Sequence, residues 1–354
     1  MLKKNAVLAV AFAVIGTAVF CGKKPSPSPQ VTEEPREKKW MEVYHRNKLK
    51  DTVDITYCEP GENFLVFGHA GRINDSLYMG TYVYPWQGED VLSYRLKNGL
   101  LYVNDKLCGV DLRFVEPKQV PDPSSIVTAV ADSSDASKLA SFPNLMAVQT
   151  YDFIDGYLPY LVKLKNLRWL SLSSVSGSRI GSSAYERITN HGLKHLAALT
   201  ELRSLNISFL YIDGQGLANL KTLSNLKELH IYKTAIKSSD LVHLEAFPKL
   251  RVLRWRAFTV RGDVGLKHLA KVPQLEELYL SNAEISDAGL RHLKVLTNLR
   301  VLDLSDNDEI TNRGLNQLSG LPKLELLDLS DTRVTERGAD CLKESLPNLK
   351  IIME

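Results

Sequence analysis

Four cysteines, eight histidines and a few spaced carboxylates are the residues of this chain with chemistry to offer. Nucleophilic catalysis needs a nucleophile within reach of a base. Cys58 and His69, eleven residues apart, have no spacing that marks such a pair. No CxxC pair and no His/Cys cluster has the spacing of a zinc site. The motifs GxSxG, HExxH and the phosphate loop are missing, and no SxxK stretch has supporting context. Asp54, Glu59, Glu62, His69 and Asp90 read as ordinary surface residues. The expectation is no catalytic residue, no metal and no cofactor, hence no enzyme.

The remaining candidates recur at an interval, so the elements that position them are set by a repeat. Leu164-Lys-Asn-Leu167-Arg-Trp-Leu170-Ser-Leu172 returns as Leu199-Thr-Glu-Leu202-Arg-Ser-Leu205-Asn-Ile207 and as Leu223-Ser-Asn-Leu226-Lys-Glu-Leu229-His-Ile231. The template starts again at Phe247, Val272, Leu296, Leu321 and, truncated, Leu346, with successive offsets of 35, 24, 24, 25, 24, 25 and 25 residues. Its closing apolar pair alternates with polar residues, the period of a short strand. A second phrase follows, as in Ile188-Thr-Asn-His-Gly-Leu193 and Ile285-Ser-Asp-Ala-Gly-Leu290. There Ser or Thr caps a helix start, and Leu290, Leu293 and Leu296 fall at helical spacing. Each repeat therefore predicts one strand and one helix.

These segments resemble the leucine-rich-repeat superfamily, in the 24-to-26-residue class with the phrase ITDxGLxxL found in bacterial envelope proteins and in eukaryotic F-box partner proteins. The resemblance covers Leu164 to Glu354, with a degenerate turn over Phe142 to Tyr160. It implies an α/β solenoid with parallel strands on the concave side and helices on the convex side, a scaffold that hosts many unrelated partners. Two departures stand out. The family's Asn position holds Val175, Leu210, Thr234, Phe258, Ala283, Asn307 and Thr332, so a continuous Asn ladder is absent. Cys341 aligns with His195, Asn219, His243, His268, His292 and Gln317 in one column of the convex helices, a polar packing column rather than a metal comb. No F-box-like helical segment precedes the repeats.

Between the apolar strand positions, the central outward column reads Ser171, Asn206, His230, Arg254, Tyr279, Asp303 and Asp328, and the next reads Ser173, Ser208, Tyr232, Arg256, Ser281, Ser305 and Ser330. Tyr and Arg are enriched at binding hot spots, so His230, Tyr232, Arg254, Arg256 and Tyr279 form the candidate partner-binding patch, continued by Asp303 and Asp328. A generic solvated strand face is the other reading. Asp303, Asp306, Asp328 and Asp331 offer carboxylates for calcium or for a basic partner, although Asp is also common after the strand in such repeats. The extra residues Ser173 to Ser183 form either a contact loop or a tolerated insertion. Arg261-Gly262-Asp263 spells an integrin-binding tripeptide, but it occupies the helix-start position of its repeat.

At the N-terminus, Lys3 and Lys4 precede an apolar run from Ala6 to Phe20, the layout of a signal peptide. At 1.5 Å per residue that run covers roughly 22 Å, short of a membrane core of about 30 Å. Ala18-Val19-Phe20-Cys21-Gly22 resembles a bacterial lipoprotein lipobox, departing from it at Ala18 and Phe20. The resemblance implies lipidation at Cys21 and, with Gly22 following, sorting to the outer membrane where a cell has two. Cleavage to a soluble protein and an uncleaved anchor stay open. Lys23-Lys24-Pro25-Ser26-Pro27-Ser28-Pro29-Gln30 cannot pack a core and reads as a tether. In an oxidising compartment the economical disulfide is Cys58 with Cys108.

From Trp40 to Pro121 short runs rich in Tyr, Val and Leu end at Val110 to Val115, with Asn98-Gly99 and Asn104-Asp105 as hairpin turns. The expected organisation is a signal peptide over 1–21, a tether over 22–38, a small antiparallel β domain over 39–122, a linker over 123–141 and the repeat domain over 142–354. Composition, 44% apolar and 24% charged with a net charge of +3, gives no reason to expect nucleic acid as partner. The combined expectation is a membrane-tethered protein of the bacterial envelope that binds a protein or glycan through its concave face. The rivals are an exported hydrolase with its site in the β domain and a passive envelope component.

Overall fold

The computed structural model describes residues 40–45, 48–54, 64–73, 76–85, 93–103, 105–173, 188–256 and 262–353. The apolar run Ala6 to Phe20, Cys21, the tether, Cys58, Glu59, Glu62, Asp90, the insertion beyond Ser173 and Arg261 lie outside the described residues. The chain divides into two compact units, Met1–Gln149 and Thr150–Glu354. Among the described residues no helix is long and apolar enough to cross a membrane.

In the first unit β1 (Trp40–His45) pairs antiparallel with β2 (Lys48–Asp54), and β3 (Phe64–Ile73) with β4 (Ser76–Pro85). Then β5 (Ser93–Lys97), β6 (Leu100–Val103) and β7 (Lys106–Asp111) form an antiparallel meander, while β1 also pairs parallel with β5. Asn98 and Gly99 both have positive φ, 50° and 75°, the requirement of the two-residue hairpin turn that joins twisted strands. The run to Val115 stops early, and a side chain explains it. The Asp111 carboxylate accepts from the Arg113 backbone N–H at 3.2 Å and from its guanidinium at 2.8 and 2.6 Å, curling the chain out of extension. Cys108 is buried, with Sγ 3.6 Å from the Leu101 carbonyl oxygen.

The stretch expected as a linker, 123–141, is structured. Thr128–Asp132 forms β8, parallel to β7, and Ser133–Ser141 forms a helical turn. Asp132 accepts from the Ser134 N–H and Asp135 accepts from the Asp132 N–H, so two polar residues that look like linker start the helix. Ala136 and Leu139 behind them are fully buried. The strand β9 (Ala147–Tyr151) contains the division between the units.

The second unit has one strand per repeat: β10 (Trp169–Ser173), β11 (Ser204–Asn206), β12 (Glu228–Tyr232), β13 (Val252–Arg256), β14 (Glu277–Tyr279), β15 (Val301–Asp303), β16 (Leu326–Asp328) and β17 (Lys350–Ile352). They hydrogen-bond in chain order, all parallel, as the 24- and 25-residue spacing predicts. Leu205, Leu229, Leu253, Leu278, Leu302 and Leu327 stack in register with no exposure.

The Ser/Thr-Asp/Asn-x-Gly phrase joins neighbouring repeats. Thr189, Asp213, Ser286 and Thr311 cap their helices through their side chains. The Asp or Asn that follows reaches the next repeat: Asp287 accepts the Thr311 N–H at 2.7 Å and its hydroxyl at 2.6 Å, and Asn312 accepts the Thr335 N–H at 2.9 Å. Asp263 accepts the same pair from Ser286, so the acidic end of the Arg261-Gly262-Asp263 tripeptide is committed to packing. Glycine comes two residues later because the preceding repeat's carboxylate or amide fills the space of its Cβ. A Cβ on Gly289 would lie 2.1 Å from Asp263 Oδ1. We predict that Gly289→Ala costs about 2–3 kcal/mol, read from the urea midpoint, through the displaced hydrogen bonds. Gly320→Ala, where a Cβ meets nothing within 4 Å, should leave the midpoint in place. Equal midpoints for the two variants would refute the steric account.

Candidate functional site

Strand alternation sends every second side chain to the open face of this sheet, and parallel register lines those side chains up across strands. The central row is Ser171, Asn206, His230, Arg254, Tyr279, Asp303 and Asp328, each register partner of the next. Tyr232 is register partner of Arg256 in the following row. The Arg256 side chain lies outside the described residues. Thus His230, Arg254, Tyr279, Asp303 and Asp328 are brought together, with Tyr232 beside them.

Two residues outside the sequence-predicted patch complete it. Glu228 and Glu277 stand two positions before His230 and Tyr279, on the same face. Glu277 is 6% exposed. Its Oε2 accepts the Tyr279 hydroxyl at 2.8 Å and lies 3.7 Å from Arg254 Nη2. The Arg254 guanidinium sits 3.6 Å from the Tyr279 ring centre, a cation-π contact that holds it across β13 and β14. Glu228 accepts the Ser204 hydroxyl at 3.0 Å. The signal for both glutamates was the period of two, applied one position further back along the strand.

Burial sets the electrostatics. It pushes the Glu277 carboxyl up to about 7, against the pull of Arg254 and of the Tyr279 hydrogen bond. Glu228 is pushed up by burial too, opposed by the Ser204 hydrogen bond and by Arg254. Burial, with Arg254 adding, pushes His230 down to about 3, so its ring is neutral. Burial raises Asp303, with the Ser305 hydrogen bonds opposing and the Asp328 charge contributing.

An aromatic group borders the row. Phe209 and Tyr232 meet edge to face with centroids 5.0 Å apart, and Lys233 Nζ lies 5.4 and 5.5 Å from their two rings. Phe209 has φ of 64°, at a repeat position where Asn282, Asp306 and Asp331 take the same left-handed turn. Asn and Asp tolerate that conformation, whereas a bulky aromatic residue is strained there by about 1–2 kcal/mol. A Phe in a column that holds Asn282, Asp306 and Asp331 in three later repeats was the signal for it.

The other sequence candidates are dispersed. His195 is exposed and His243, His268 and His292 are half-buried on successive helical turns. No group of three or more His, Cys, Asp or Glu side chains placed to hold a metal occurs among the described residues. Asn307 is buried and accepts from the Ala283 and Ile285 N–H groups of the preceding repeat, whereas Leu210 in the same column is apolar and buried. The Asn contact is therefore made by Asn307 and not continued at Leu210.

A family model described as leucine rich repeat matches residues 273–334. No curated protein matches the chain. Among solved structures, an internalin from Listeria monocytogenes is 19% identical over 65% of this chain and 67% of its own, with a TM-score of 0.43. A structure titled TDR receptor is 17% identical over 65% of this chain and 39% of its own, with a TM-score of 0.40. The chain thus spans well under half of that receptor's length.

Proposed function

From a chain that carries leucine-rich repeats, we propose a recognition protein that binds a protein or glycan partner on the open face of its repeat sheet. The observation that carries this reading is the row from His230 to Asp328. Arg254 is stacked on Tyr279 beside the desolvated Glu277, and the strained Phe209 adjoins Tyr232. Buried charge and strain both cost stability, and both concentrate where a partner recovers the cost.

The proposal includes export and tethering. The signal-peptide layout, the lipobox-like stretch at Cys21 and the Pro/Ser tether support a protein lipid-anchored in the bacterial envelope, with the antiparallel strands of 39–122 forming a domain before the repeats. The reading is of a binding protein and not an enzyme, since stacking accounts for the repeat residues one by one.

The test is affinity capture from envelope and host-surface extracts with the full chain and with a variant carrying Tyr232→Ala, Arg254→Gln and Tyr279→Ala. A partner retained by the parent and lost by the variant, with circular dichroism unchanged, is the expected result. Equal capture by both would move the function to the N-terminal unit.

A further inference from the structure

Asp303 and Asp328 are register partners on neighbouring strands, roughly 4.8 Å apart. In each, Oδ1 is engaged twice by the serine two residues on: by the Ser305 N–H and hydroxyl at 2.9 and 2.6 Å, and by those of Ser330 at 2.9 and 2.7 Å. Neither Oδ2 accepts a hydrogen bond from the described residues. Like charges directly opposite each other in a sheet destabilise it. Arg254, the only cation among the described side chains of this row, is occupied by Tyr279 and Glu277. Further along the same row the buried Nε2 of His230 has no hydrogen-bond partner. A neutral imidazole carries one donor and one acceptor nitrogen. The row therefore holds surplus negative charge and unfilled acceptor capacity.

Building on the reading of this face as a recognition surface, we infer that it takes a cationic protein segment. The ammonium of a lysine or the guanidinium of an arginine seats against the Oδ2 atoms of Asp303 and Asp328, and a second polar group of the same segment bonds His230 Nε2 as binding parts the side chains that cover it. Charge complementarity selects this occupant: one cation between two facing carboxylates removes their repulsion and fills both free oxygens. Three strand spacings separate β15 from β12, about 14 Å, or about four residues of extended chain. The cation and the second group therefore belong to one short stretch. Glu277 stands two positions before Tyr279 in the neighbouring row of the same face, and Arg254, Tyr279, Glu228 and Arg300 are the charged and titratable groups acting on it. Protonating Glu277 removes a negative charge from the strand next to the bound cation, so binding weakens as pH falls through neutrality.

The test is fluorescence anisotropy of the full chain with labelled peptides of four Gly-Ser-Lys repeats and of four Gly-Ser-Glu repeats. The lysine peptide should bind and the glutamate peptide should not. Asp303→Asn with Asp328→Asn should weaken the lysine peptide at least tenfold. Asp340→Asn with Glu344→Gln, the same charge change on the exposed last helix, should leave it unaltered. Equal loss in both variants would mean general attraction and overturn the inference, as would displacement of the peptide by micromolar calcium chloride. An extract partner lost with the Tyr232, Arg254 and Tyr279 variant but kept by the Asp303 and Asp328 variant would leave the recognition surface standing and overturn the cationic assignment. A partner kept by both variants would overturn both readings.

Discussion

Replacing Asn307 with alanine is expected to lower the stability of the repeat unit by about 3–5 kcal/mol. The residue is 1% exposed. Its Oδ1 accepts from the Ala283 and Ile285 N–H groups at 3.1 and 3.0 Å. Its Nδ2 donates to the carbonyls of Leu280, Leu304 and Ser305 at 2.9, 2.8 and 3.0 Å. Alanine leaves those backbone groups buried with one partner fewer, at about 1–3 kcal/mol for each group left unsatisfied. Ala283 is itself fully buried, so its N–H has no solvent to turn to. Urea denaturation gives the value. A loss under about 1 kcal/mol would mean that water substitutes for the amide and that the strand-to-helix turn does not depend on it.

Glu277→Gln is expected to stabilise the protein above neutral pH and to change the shape of its pH–stability profile. An unfolded glutamate loses its proton near 4.5, whereas the folded one holds it to about 7. Folding therefore takes up a proton in that window, and stability falls as pH rises from about 4.5 to 7, by about 3 kcal/mol in all. His230 acts in the opposite sense. Its folded value of about 3 against 6.5 unfolded makes folding release a proton, so stability is lost as pH falls below about 6.5. Between roughly 4.5 and 6.5 the two contributions offset each other, giving a plateau with a fall on either side. In Glu277→Gln the alkaline fall disappears, and the variant exceeds the parent by roughly 2–3 kcal/mol at pH 8. Urea midpoints from pH 4 to 8 test this. Parallel profiles for parent and variant would show that Glu277 is ionised in the folded protein at ordinary carboxylate pH.

The parallel stack and the central row were legible because two periods are written into the sequence. The 24- and 25-residue recurrence sets the strand order, and the alternation inside LxxLxxLxL chooses which side chains share a face. The inter-repeat joints were legible only as helix starts. That Asp263, Asp287 and Asn312 serve the next repeat, and so require Gly289, Gly314 and Gly338, emerges once the repeats are stacked. The burial of Glu277 was not legible, because burial of an outward side chain depends on the neighbours that meet it, here Arg254 and Tyr279. Residues 123–141 read as linker because Asp132, Ser134 and Asp135 are polar. Their side chains cap a helical turn whose apolar residues, Ala136 and Leu139, are few and easily overlooked.

Partner recognition by the open face of the repeat sheet is tested most directly by site-specific photo-crosslinking. A photoreactive amino acid at Ser305 lies on that face, and one at Glu344 lies on the exposed side of the last helix, Glu336–Ser345. With envelope or host-surface extract, the account predicts a discrete crosslinked species from position 305 and none from position 344. A species from 344 alone would contradict it.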